Sequence, residues 1–158
     1  MVREENKEAR RQRTLNAAAA LIRQTGSTDF SMVTLATQAK LSPATPYNLF
    51  GSKGAILYAL LNRSLDEIAQ GGERNASTRR NPFLRTLHAA EWGARFFISD
   101  PAFYRPLYRF LLGLGDDDDD ERGDLKTRLR NYLVDMTGDK AMADALAKGL
   151  PTLMGADL

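Results

Sequence analysis

Apolar residues recur along this chain at the spacing of an α-helix, and polar punctuation separates the runs. Leu15, Ala18, Ala19 and Ile22 fall at i, i+3, i+4 and i+7, one stripe of a helix predicted over 10–24, and Gly26 follows as a stop signal. Ser31 is a good N-cap, and Met32, Leu35, Ala36 and Ala39 repeat the spacing in a short second helix. Ser42 and Pro43 open a third, because a proline at the first helical position gives up an amide that has no acceptor there. Inside it, Pro46 has no N–H for the Ser42 carbonyl; Leu41 and Phe50 are core anchors, and Tyr47 and Asn48 reach outward. A fourth helix begins at Ser52 and carries an apolar face of Leu57, Leu60, Leu61, Ser64, Leu65 and Ile68.

Residues 70–81, QGGERNASTRRN, are polar and rich in Gly, Ser and Arg, the composition of a loop or linker. Helical spacing resumes over 82–99, where Leu84, His88, Trp92 and Phe96 step by four. Asp100 and Pro101 open another helix, with Phe103, Tyr104, Tyr108 and Phe110 on it and Pro106 expected to kink or interrupt it. The run Asp116 to Asp120 reads as a loop; residues 124–136 are amphipathic, and 139–148 form a last helix stopped by Gly149 and Pro151. No strand pattern emerges, so the fold class is all-α.

Composition narrows the chemistry. With no cysteine there are no disulfides, thiolate metal sites or cysteine nucleophiles. A single histidine, no phosphate-binding loop and no paired acid-base motif argue against an enzyme. The aspartate run lacks the interleaved glycine and carbonyl pattern of a cation loop, so no metal or cofactor is expected. The charged start, MVREENKEARRQR, is not a secretory signal, and no stretch reaches the ~20 apolar residues needed to cross a bilayer. A cytoplasmic protein is expected. Residues 1–65 hold nine Lys/Arg against four Asp/Glu, a balance of +5, and residues 66–158 hold thirteen against sixteen, a balance of −3. A basic front suits a polyanionic partner, although halves of a chain also differ by this much through chance.

Two short helices joined by a tight turn and supported by a longer one form the helix-turn-helix arrangement, whose second helix enters the major groove of DNA. A capped core helix without a partner has the same spacing. Arg11, Leu15, Ala18, Gly26, Ser31, Leu35, Ala36, Ala39, Ser42 and Leu57 stand in register with the string ATPYNLFGSK, which holds Thr45, Tyr47, Phe50 and Lys53 at Thr-x-Tyr-x-x-Phe-x-x-Lys spacing. Over 11–61 the chain thereby resembles the DNA-binding domain of the TetR/AcrR-type transcriptional regulators. The resemblance implies a three-helix DNA-binding domain over 1–65 and a helical ligand-binding and dimerisation domain over 66–158. It implies base-edge contacts at Pro43, Ala44, Thr45 and Asn48, and phosphate contacts at Tyr47, Lys53 and the Ser31 helix start; small Ser42 lets backbone approach DNA. Arg10, Arg11 and Arg13 fit either a DNA-contacting flexible arm or a solvated helix end.

The resemblance further implies a homodimeric repressor that a small-molecule effector releases from a palindromic operator. Leu84, His88, Trp92, Phe96, Tyr104 and Tyr108 would then line the effector pocket, although the same stripe fits an ordinary aromatic core. The alternative is a helical interaction protein with impaired or ligand-independent DNA binding. Three departures stand out. Lys40 and Ala44 occupy positions where the family usually has glycine, and Pro46 replaces an aliphatic residue. The chain also ends, at GADL, earlier than the family generally does, so the final dimer-building helices are expected to be incomplete or missing.

Overall fold

The structure, a computed structural model, describes residues 2–76 and 81–111 and positions 127, 131, 134, 140 and 141. The aspartate run and the bulk of the two helices expected over 124–136 and 139–148 lie outside the described residues. Every regular element described is helical: α1 (Val2–Thr25), α2 (Met32–Gln38), α3 (Ala44–Phe50), α4 (Lys53–Ala76), α5 (Pro82–Ser99) and α6 (Pro101–Arg109). The chain divides into two compact units, 1–61 with 101–118, and 62–100 with 119–158. A single cut near residue 65 therefore does not reproduce the units: α6 belongs with the front of the chain.

In the first unit α1 packs against α2, α3 and α6, and α2 packs against α3. The predicted stripe of α1 is buried, with Ala18 and Ile22 fully enclosed, and Thr14 joins it by donating its hydroxyl to the Arg10 carbonyl at 2.8 Å. Leu35, Ile56, Leu57, Leu60 and Leu107 are also fully buried. Each such aliphatic side chain contributes about 1.5–3 kcal/mol. On α6, Phe103 lies under the Arg23 guanidinium (4.6 Å to the ring centroid), and Phe110 meets Tyr58 ring to ring at 5.1 Å. The helix continues through Pro106 instead of stopping there, with that proline buried, and widens into a π turn at Phe110 and Leu111. Pro106 forgoes one helical amide hydrogen bond there and buries its ring.

In the second unit the stretch expected to be a loop is helical as far as Ala76, because α4 continues through Gln70 and Gly71. Trp92 of α5 explains why. Its indole N–H donates to the Ile68 carbonyl at 3.1 Å, and its ring covers Gly71 so closely that a Cβ there would lie 2.2 Å from Cζ2. A tertiary contact thus overrides the local composition.

Candidate nucleic-acid interface

The turn between α2 and α3 is built on backbone hydrogen bonds. The Leu41 amide donates to the Ala36 carbonyl at 2.9 Å and the Lys40 amide to the Thr37 carbonyl at 3.1 Å, the paired closure of a Schellman motif. Such a motif needs a left-handed residue, and Lys40 takes that role with φ 53°, a place where glycine is the easy choice. The strain is met from α1. Arg13 Nη2 donates to the Ala39 carbonyl at 2.8 Å and the Lys40 carbonyl at 2.6 Å, groups that the end of α2 leaves without helical partners.

Two residues earlier on α1, Arg11 holds the other end of α3. Its Nη1 donates to the Leu49 carbonyl at 2.8 Å, and its guanidinium lies 4.3 Å from the Phe50 ring centroid. Arg11 and Arg13 therefore belong neither to a flexible arm nor to a solvated helix end, since α1 is helical from Val2 and both guanidinium groups are spent on the scaffold. Arg10 is exposed on the same helix. Sequence reasoning missed these roles; the only signal was the i, i+2 pairing of two arginines just before a buried stripe.

The two prolines suit the short third helix. Pro43 is its N-cap residue, already in helical conformation, so α3 starts at Ala44, one residue later than expected. Pro46 falls in the first turn, where an amide would have no helical acceptor, and its ring is fully buried. The Ser42 carbonyl, which Pro46 cannot serve, accepts instead from the Thr45 amide at 2.9 Å. Ser42 and Thr45 also share a hydrogen bond between their hydroxyls at 2.7 Å. Gly51, with φ 81°, ends the helix, and Ser52 caps α4 by accepting from the Ala55 amide at 3.0 Å.

What remains outward is the set of expected DNA contacts. Ser31, Ser42, Pro43, Ala44, Tyr47 and Asn48 are solvent-accessible, Tyr47 by 52%, while Thr45 and Lys53 are half-buried. All eight lie in the first unit. Ser31 caps α2, its Oγ accepting from the Thr34 amide at 3.0 Å and pairing with the Thr34 hydroxyl at 2.8 Å. Among the described residues, the side chains of Tyr47, Asn48, Lys40 and Lys53 have no intramolecular hydrogen bond or ion pair. Four polar side chains around the α2–α3 motif are thus unspent, while the exposed Ser31 and Ser42 hydroxyls are used within the motif.

The residues expected to line an effector pocket divide between the units: Leu84, His88, Trp92 and Phe96 in the second, Tyr104 and Tyr108 in the first. Leu84 is exposed, and Trp92 is committed to Gly71 and Ile68. His88 stands 3.7 Å from the exposed Glu91, which also pairs with Arg95 at 2.9 Å, so the histidine sits in a surface charge cluster. Phe96 packs edge-on against Phe97. Tyr104 is buried beside Phe103. Burial, and to a lesser degree the neighbouring Tyr104, raises the Tyr108 hydroxyl above the ordinary tyrosine pKa, so it stays protonated at neutral pH. Among the described residues no group of three His, Asp or Glu side chains is arranged to hold a metal, and no helix is long and apolar enough to cross a membrane.

The fold is one already seen in solved structures of transcriptional regulators. A TetR transcriptional regulator from Rhodococcus sp. RHA1 superposes with a TM-score of 0.73 over 95% of this chain and 82% of its own, at 19% identity. The TetR family transcriptional regulator PfmR from Thermus thermophilus does so with a TM-score of 0.57 over 92% of this chain and 74% of its own, at 24% identity. No protein-family model and no curated protein sequence matches the chain. The all-α TetR fold is thus shared at low sequence identity.

Proposed function

We propose that this chain is a sequence-specific DNA-binding transcriptional regulator of the TetR kind, working as a homodimer on a palindromic operator in the cytoplasm. The observation that carries the reading is the contrast across the α2–α3 motif. Its inner side is tied down by Arg11 and Arg13, whereas its outer side presents Tyr47, Asn48, Lys40 and Lys53 without internal partners among the described residues. An amide, a phenol and two ammonium groups thus stand around a rigidly held turn, free to contact a polyanion. The fold shared with two transcriptional regulators supports the same reading.

In this reading α3 lies in the major groove. Pro43, Ala44, Thr45 and Asn48 meet base edges, small Ser42 allows close approach, and Tyr47, Lys53 and the Ser31 start of α2 meet phosphates. The repressor role, and release by a small molecule, rest on the family resemblance. No enzymatic step is proposed.

The test is binding of labelled duplex across a salt series. The logarithm of the binding constant should fall linearly with the logarithm of salt concentration, and Lys53→Ala should reduce that slope by about 1 through loss of one phosphate contact. An unchanged slope in Lys53→Ala would remove Lys53 from the interface. Absence of binding to any duplex at low salt would contradict the reading as a whole and favour a helical interaction protein.

A further inference from the structure

The chemistry that α3 exposes is narrow. Between Ser42 and Phe50 the outward side chains are those of Ser42, Pro43, Ala44, Tyr47 and Asn48, with Thr45 half-buried and Pro46 enclosed. None carries a guanidinium, an ammonium or a carboxylate. Guanine is read in the major groove chiefly by Arg or Lys donating to O6 and N7, and cytosine by Asp or Glu accepting from N4. Adenine is read by an Asn or Gln amide at N6 and N7, and thymine by apolar contact with its methyl group.

Asn48 has the adenine-reading amide, exposed and with no internal hydrogen bond among the described residues. Pro43 and Ala44 expose only ring and methyl carbons at the start of the helix, the groups that suit a thymine methyl. The hydroxyls of Ser42 and Thr45, which discriminate poorly among bases, already bond to each other at 2.7 Å. Arg11 touches α3 but is committed to the Leu49 carbonyl and the Phe50 ring, and the cations nearest in sequence, Lys40 and Lys53, stand outside the helix, one in the preceding turn and one at the first residue of α4.

We propose that α3 reads A·T base pairs, with the Asn48 amide on adenine and Pro43 and Ala44 against thymine methyls. The operator half-site is then a short A·T stretch at the positions under this helix. The proposal rests on the reading that α3 enters the major groove.

The experiment uses the 158-residue chain and duplexes recovered from a random pool at near-physiological salt. The recovered half-site should hold A·T pairs at its most constrained positions. Replacing thymine by uracil there, which removes only the methyl group, should weaken binding several-fold. Asn48→Ala should weaken binding to that site about five- to a hundred-fold and relax the preference for one adenine position. Because Asn48 is exposed and uracil alters only the DNA, neither result depends on protein stability. A recovered half-site built on G·C pairs, indifferent to uracil and to Asn48→Ala, would overturn the proposal while leaving DNA binding intact. Recovery of no motif would overturn the groove-reading role of α3, and the proposal with it.

Discussion

At the scale of single residues, Lys40 and Arg13 act as one device. A lysine in left-handed conformation is strained, and the turn nevertheless keeps it because Arg13 satisfies the two carbonyls around it. Replacing Lys40 by glycine should raise stability by roughly 0.5–1 kcal/mol, the left-handed penalty less the extra freedom of an unfolded glycine. Arg13→Ala should lower it by about 1–2 kcal/mol, because charge-assisted bonds are lost but water reaches the freed carbonyls. Urea unfolding of both variants checks the pair. A destabilised Lys40→Gly would mean that the lysine side chain holds a contact the turn geometry does not require.

At the scale of elements, α4 and α5 depend on one another through Gly71 and Trp92. Gly71→Ala would ordinarily strengthen a helix by about 1 kcal/mol. Here the new methyl would meet the indole at 2.2 Å, so the substitution should instead destabilise by about 1–3 kcal/mol. In a Trp92→Leu background the sign should reverse, since the clash is gone and the propensity gain remains. Thermal or urea unfolding of the double-mutant cycle checks this, and a cost of Gly71→Ala that persists without Trp92 would contradict it. The same contact marks the limit of what periodicity reveals. The stripes of α1, α2 and the first half of α4 were legible because each helix carries its own apolar face, and α5 was legible from Pro82 to Ser99 for the same reason. Residues 70–76 were not, because their helix is held by a tryptophan about twenty positions away in sequence. The outward residues of the α2–α3 motif were singled out because they share a sequence motif, whereas the scaffold roles of Arg11 and Arg13 were hidden, their partners lying 38 and 26–27 residues downstream.

At the scale of the molecule, the front unit recruits α6 from beyond α5, so the α2–α3 motif and the helix of Phe103, Tyr104 and Leu107 belong to one unit built around α1. Their common neighbour is α1, which also supplies both arginines. Substitutions under α6 should therefore disturb DNA binding without touching the α3 surface: Leu107→Ala, which empties a fully buried site, should cost about 2–5 kcal/mol and weaken DNA binding at temperatures near the lowered unfolding midpoint. Binding that survives above the unfolding midpoint of the first unit would contradict this dependence.

If α3 reads DNA sequence as one half of a two-fold pair, a binding selection should reveal it. The purified chain is mixed with random duplex DNA at near-physiological salt, and the retained fragments are sequenced. The expected result is a palindromic motif with its half-sites spaced for two recognition helices on successive major grooves, relaxed at one adenine position in Asn48→Ala and bound more weakly overall by Lys53→Ala. Retained DNA with no shared motif, from protein that is folded and monomeric in solution, would contradict it.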